Sequence, residues 1–190
     1  MDVSAAAAGL SVALTTALAP PNKPQLVSAL SAVASLTLDA QRLECVQLLG
    51  CGVTVCNALT HYAANVEVAR VGCWALHNLA LAGDNWVPLA RDGAHVAVMA
   101  AARNHGSDLE VVRAACAALQ LLSAAGDNRV QLVRDGVHGA VMAAVRDHGG
   151  DVEITKYGCW ALHNLARAAD NWVPLVRDGV HAVVTAALRD

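Results

Sequence analysis

The sequence predicts an all-α chain, a solenoid of stacked three-helix repeats, and three observations point there. The same residues return every 43 positions: Cys73, Cys116 and Cys159; Asp84-Asn85, Asp127-Asn128 and Asp170-Asn171; Asp92-Gly93, Asp135-Gly136 and Asp178-Gly179. Self-similarity at a fixed period of this size marks repeat architectures, in which a unit buries its apolar face only against its neighbours. Between these markers apolar residues recur at three- and four-residue steps, the helical period. Composition agrees: 56% of the 190 residues are hydrophobic, aromatics are 3% and Phe is absent. The dominant Ala, Val and Leu are small, Ala and Leu are strong helix formers, and such side chains let helices approach closely.

Each unit divides into three helices. In the unit that begins at Asp84, Trp86–Arg91 reads as a short first helix ended by Gly93. Ala94–Asn104 reads as the second, stopped by His105-Gly106-Ser107, and Leu109–Ala125 as the third. Asn85 is expected to N-cap the first helix, which places Pro88 third in the helix, where its missing N–H removes no intrahelical bond. Asn171 and Pro174 repeat the arrangement, and Asp108 and Asp151 are expected to cap third helices. Along the third helix Val68, Gly72, Ala75, Leu76 and Leu79 form one apolar face. A second period of 86 is superimposed: Gly72–His95 matches Gly158–His181 at 20 of 24 positions, as if a two-repeat block had been duplicated.

Counting back from Asp84 places units at 41–83, 84–126 and 127–169. Residues 1–40 fit an atypical copy whose third helix is Gln25–Leu38, entered through the turn Pro20-Pro21-Asn22-Lys23-Pro24. Residues 170–190 supply only the first two helices of a further unit, since Asp190 aligns with Asp147 at the end of a second helix. Such an end leaves an apolar edge exposed, so the chain reads as a piece of a longer protein.

Composition also narrows function. A formal charge of −3 without a basic stripe argues against nucleic acid as partner. The six cysteines contain no CxxC pair, and three recur at one repeat position; they read as buried, reduced hydrophobes in a cytoplasmic or nuclear protein. Val3–Asn22 and Cys45–Val66 lack charge, but polar residues dilute both and no basic segment precedes the first, so no membrane span is expected.

Three helices per unit, Gly between a short first and a second helix, and a third helix reading W-A-L-x-N-L-A (Trp74–Ala80, Trp160–Ala166) together resemble the armadillo repeat over nearly the whole chain. HEAT repeats, with two helices, fit less well. The resemblance implies a right-handed superhelix whose third helices line a concave groove that binds other proteins. Similar W-A-L-x-N-L-A units also occur in the armadillo region of leucine-rich-repeat kinases.

Residues four apart share a stripe on a helix, so Arg70, Trp74 and Asn78 are expected to face the groove together, as are Lys156, Trp160 and Asn164. In importin-alpha, a nuclear-import adaptor of this family, matching Trp and Asn residues hold an extended peptide. The chemistry suits the residue types, because an Asn amide both donates to and accepts from a peptide unit and indole offers a flat apolar wall. The ladder is broken here by Ala117 and Leu121 in the middle unit and by Ser31 and Ser35 in the N-terminal one. The neighbouring column, Arg70, Arg113 and Lys156, is basic, which favours an acidic or phosphorylated partner, closer to beta-catenin than to importin-alpha. The competing reading is that both Trp residues pack between third helices while both Asn residues satisfy neighbouring backbone groups.

No cofactor, metal or small-molecule substrate is expected. His95, His138 and His181 recur in the second helices and His77 and His163 in the third, but equivalent positions in stacked units lie on the order of 10 Å apart, too far to share an ion. They are expected at the surface or as caps. Arg91-Asp92, Arg134-Asp135 and Arg177-Asp178 read as local ion pairs at helix ends. No Gly-rich phosphate loop, GxSxG or HExxH is present, so the chain is read as a scaffold rather than an enzyme. An importin-alpha-like adaptor, or the non-catalytic armadillo portion of a larger signalling enzyme, stands as the alternative.

Overall fold

The computed structural model describes residues 3–18, 23–36 and 39–187, which form thirteen α-helices, three short 3-10 turns and no strand. The N-terminal part contributes α1 (Val3–Leu18) and α2 (Lys23–Ala34). Three three-helix units follow: α3 (Asp39–Gln47), α4 (Cys51–His61) and α5 (Val66–Ala80); α6 (Trp86–Arg91), α7 (Ala94–Asn104) and α8 (Leu109–Ala124); α9 (Arg129–Arg134), α10 (Val137–Asp147) and α11 (Val152–Ala166). Last come α12 (Trp172–Arg177) and α13 (Val180–Ala187). The third helices α2, α5, α8 and α11 pack side by side in one row and the second helices α4, α7, α10 and α13 in another. One apolar core runs through the array from Leu14 to Val183.

Local chemistry explains the helix bounds. Gly93, Gly136 and Gly179 have φ of 85°, 83° and 81°, a left-handed conformation that only glycine adopts without strain and that turns the first helix into the second. Third helices start on side-chain caps: Asn65 accepts from the Val68 N–H, Asp108 from Val111, and Asp151 from Glu153 and Ile154. The expected apolar face of α5 is buried throughout. Glycine on that face permits close crossing: a Cβ at Gly72 would stand 2.7 Å from Leu59 Cδ2, and one at Gly158 would overlap Val145 Cγ2.

Asn85 stands at the N-cap position of α6, with Pro88 third in the helix as expected, but its side chain makes no capping bond. A 3-10 turn, Gly83–Asn85, precedes the helix and directs the Asn85 amide back into the core, where Nδ2 donates to Arg42 O (3.0 Å) and to Leu79 O (2.9 Å), six residues earlier. Asn128 and Asn171 repeat the bond to the carbonyl six residues back, on Leu122 and Leu165, each at 2.8 Å. At the first junction Arg42 stands at this position, and its guanidinium reaches Leu36 O at 2.7 Å. The next residue adds a second donor: Trp86 and Trp172 indoles donate to Ala80 O and Ala166 O, and Arg129 to Ser123 O and Ala124 O. The last carbonyls of a helix lack intrahelical partners, and these side chains supply them.

One N-terminal expectation changes. The helix expected at Gln25–Leu38 spans Lys23–Ala34, accommodating Pro24 in its first turn, while Pro20, Pro21, Asn22, Thr37 and Leu38 lie outside the described residues. The charge-free N-terminal stretch forms α1, which packs on α2, α3 and α4 with Leu14 fully buried. Among the described residues no single helix is long and apolar enough to cross a membrane.

Candidate partner-binding face

The basic column is largely engaged by neighbouring units. Arg70 Nε lies 3.1 and 3.0 Å from the two carboxylate oxygens of Asp108, the N-cap of the next third helix. Arg113 repeats this on Asp151, with Nε at 2.9 Å and Nη2 at 2.6 Å, and also meets Glu110 at 2.8 Å. The guanidinium bonds, first among several causes, hold the Asp108 and Asp151 carboxyls below the usual range. Lys156 is the next member of the column. No carboxylate among the described residues pairs with it; its Nζ lies 5.4 Å from the Tyr157 ring centroid and 5.7 Å from that of Trp160, within cation–π reach.

The two Asn residues of the expected groove differ in exposure but share a role. Asn78 is buried; its Nδ2 donates to Val33 O (2.7 Å) and Leu36 O (3.0 Å), and its Oδ1 accepts from Arg42 (3.2 Å). Asn164, half-buried, donates to Gln120 O (3.1 Å) and Ser123 Oγ (3.4 Å). Both amides close the C-terminal end of the preceding third helix. Trp74 is half-buried against the core and edge-on to His77, with centroids 5.3 Å apart, and burial holds His77 below its usual pKa. Trp160 is 55% exposed. The structure therefore brings Lys156, Trp160 and Asn164 together at the surface of α11, whereas Arg70 and Asn78 are tied into the array.

Like-for-like residues in the two near-identical copies expose the cause. Cys73 is fully buried and Cys159 half-buried; His95 is buried and His181 exposed; Trp86 is half-buried and Trp172 60% exposed. In the inner copy α8 covers α5, while the unit from α9 to α11 covers α6 and α7; among the described residues nothing covers the outer copy in the same way. An apolar recess of about 360 Å³ opens there, lined by Leu162, His163, Trp172, Val176, Val180 and Val184 among others. Cys159 thus departs from the expectation that all three repeat cysteines are buried. All six cysteines are free, and burial pushes Cys73 and Cys116 up to about 12.

The histidine ladder is not a surface feature in the inner units. His95 and His138 are buried and place Nε2 at 2.9 Å from Asp135 and 2.8 Å from Asp178, each carboxylate belonging to the next unit. Asp135 and Asp178 are therefore bridges between units, and among the described residues only Arg177–Asp178 forms the expected local pair, at 2.8 Å. At the first junction Gly52 occupies the histidine position and Asp92 fills the space, 2.6 Å from where a Gly52 Cβ would stand, and burial raises its pKa. Among the described residues no three His, Cys, Asp or Glu side chains group at a spacing that could hold a metal.

A family model described as LRRK2 ARM repeat matches residues 44–189. No curated protein and no solved structure matches.

Proposed function

Because the chain belongs to the LRRK2 ARM repeat family, we propose that it is a non-catalytic interaction scaffold that holds a partner protein on its row of third helices. In this reading the row forms the concave side of a right-handed superhelix, and binding centres on α11. One observation carries the proposal. Lys156 and Trp160, stacked on one another, are the members of their columns that no neighbouring unit engages among the described residues, whereas Arg70 and Arg113 are ion-paired across units. Tryptophan set in an apolar surface is among the side chains that dominate interface energetics. The uncompensated ammonium favours an acidic partner. An importin-alpha-like adaptor is less well supported, because the Asn78 amide is saturated inside the array. Six unpaired cysteines favour the cytoplasm or nucleus as the setting.

The test is quantitative affinity capture with the wild-type chain, Lys156→Glu, Trp160→Ala, and Arg146→Glu on the second-helix row as a control. Proteins retained by wild type and control but lost from both α11 variants, at unchanged melting temperature, are the expected result. Equal capture by all four chains would overturn the assignment.

A further inference from the structure

Two of the six cysteines stand apart from the repeat column. Cys73, Cys116 and Cys159 share one position, whereas Cys45 lies in the last turn of α3 and Cys51 opens α4. Later units hold Pro88 and Ala94, Gln131 and Val137, and Pro174 and Val180 at these two positions, so the pair is no general packing solution of the repeat. The chain turns between the two cysteines through Gly50, left-handed at φ 62°, and both side chains are fully buried. Their thiols meet: a hydrogen bond from the Cys45 thiol is the first cause that lowers Cys51, and its donor Cys45 is raised. Burial raises Cys56, Cys73, Cys116 and Cys159 instead. Cys51 also occupies the first position of an 11-residue helix, where the helix N-terminus favours a thiolate. A thiolate held beside a second thiol is the arrangement that exchanges with disulfides. The pair is covered by α1, which packs on α3 and α4, is anchored by the fully buried Leu14, and bonds Ser11 Oγ to Leu49 O at 3.1 Å in the turn between the cysteines.

We propose that Cys45 and Cys51 form a redox dithiol that a low-molecular-weight disulfide, such as glutathione disulfide, oxidises when α1 lifts from α3 and α4. The Cys51 thiolate attacks one sulfur of the small disulfide; its S–S bond breaks, and one small thiolate leaves and takes up the proton that Cys51 gave up. Cys45 then loses its proton and attacks the Cys51 sulfur of the mixed disulfide, expelling the second small thiol. Two protein thiols and one small disulfide thus become one Cys45–Cys51 disulfide and two small thiols, and excess thiol reverses the reaction. The site lies at the other end of the array from α11 and is independent of the partner-binding reading.

The experiment incubates the 190-residue chain with glutathione disulfide, checks that helical circular dichroism is unchanged, and maps unreduced peptides by mass spectrometry. A peptide lacking two hydrogens is expected, with fragmentation locating the link between Cys45 and Cys51. A glutathione adduct on half-buried Cys159 shows that the reagent is active. Cys45→Ala should stop at a glutathione adduct on Cys51, and Cys51→Ala should leave Cys45 unmodified. Leu14→Ala should speed the link by about tenfold or more, because truncating a buried leucine frees α1. Modification of Cys159 with no Cys45–Cys51 link in either wild type or Leu14→Ala overturns the proposal. A link to Cys56 in its place overturns the pairing, an adduct on Cys45 in Cys51→Ala overturns the order of attack, and a rate indifferent to Leu14→Ala overturns the role of α1. Wild type and Leu14→Ala carry the test even where a cysteine variant fails to fold.

Discussion

Replacing Asn128 by alanine isolates the latch that joins consecutive units. The Asn128 amide is buried and donates to Trp86 O at 3.0 Å and Leu122 O at 2.8 Å, tying the first helix of one unit and the third-helix end of the same unit to the start of the next. Alanine removes both donors and leaves the Leu122 carbonyl at the end of α8 unpaired, whereas Trp86 O, in the first turn of α6, keeps its place in the helical ladder. At roughly 1 to 3 kcal/mol for a buried group left unsatisfied, the loss should be about 1 to 3 kcal/mol. Urea unfolding followed by circular dichroism measures it, with Asn104→Ala as control, since that exposed amide makes only a 3.4 Å contact to Ala63 O. The control should stay within about 0.5 kcal/mol. Asn128→Asp sharpens the test, because its carboxylate would face two carbonyls. Its folded pKa is then raised above the unfolded value, so the variant should be least impaired below about pH 4 and lose stability as pH rises. A loss for Asn128→Ala no larger than the control's would refute the latch.

Gly158→Ala should destabilise by about 1 to 3 kcal/mol although alanine favours helix, because the new methyl overlaps the stiff, β-branched Val145; Val145→Ala in the same chain should recover most of the loss in urea unfolding. Thiol labelling under native conditions should modify half-buried Cys159 well before Cys73 and Cys116, whose burial withholds both access and thiolate; comparable rates by mass spectrometry would contradict the packing. Hydrogen bonds from Arg177 and then His138 hold the Asp178 carboxyl at about 2. Its contribution to stability is therefore full above the unfolded value near 4 and lost as pH falls toward 2, so Asp178→Asn should be less stable than wild type at pH 6, with the gap closing in acid.

Features fixed by neighbouring residues were legible in the sequence. Gly93, Gly136 and Gly179 mark left-handed turns, Asp108 and Asp151 cap the helices that follow them, and Val68 through Leu79 trace a buried face. What the sequence hid depends on how units stack. Asn85 precedes a helix and so resembles an N-cap, yet the turn at Gly83 sends its amide backwards to Leu79. The signal available was the constant step of six from a third-helix leucine to each asparagine, which also selects Arg42. Likewise His95–Asp135 and His138–Asp178 share a separation of 40, and Arg70–Asp108 and Arg113–Asp151 one of 38. These offsets from 43 follow from the lateral shift between packed units, which no single helix encodes. The exposure of Trp160 against Trp74 was equally invisible, because identical residues differ only in what lies beside them.

Hydrogen exchange on the chain with and without a captured partner tests the central claim most directly. Protection should appear in α11 and α13, at Val152–Ala166 and Val180–Ala187, and should vanish in Lys156→Glu. Protection confined to α4, α7 and α10, or unchanged by that substitution, would place the partner on the opposite row and contradict the account.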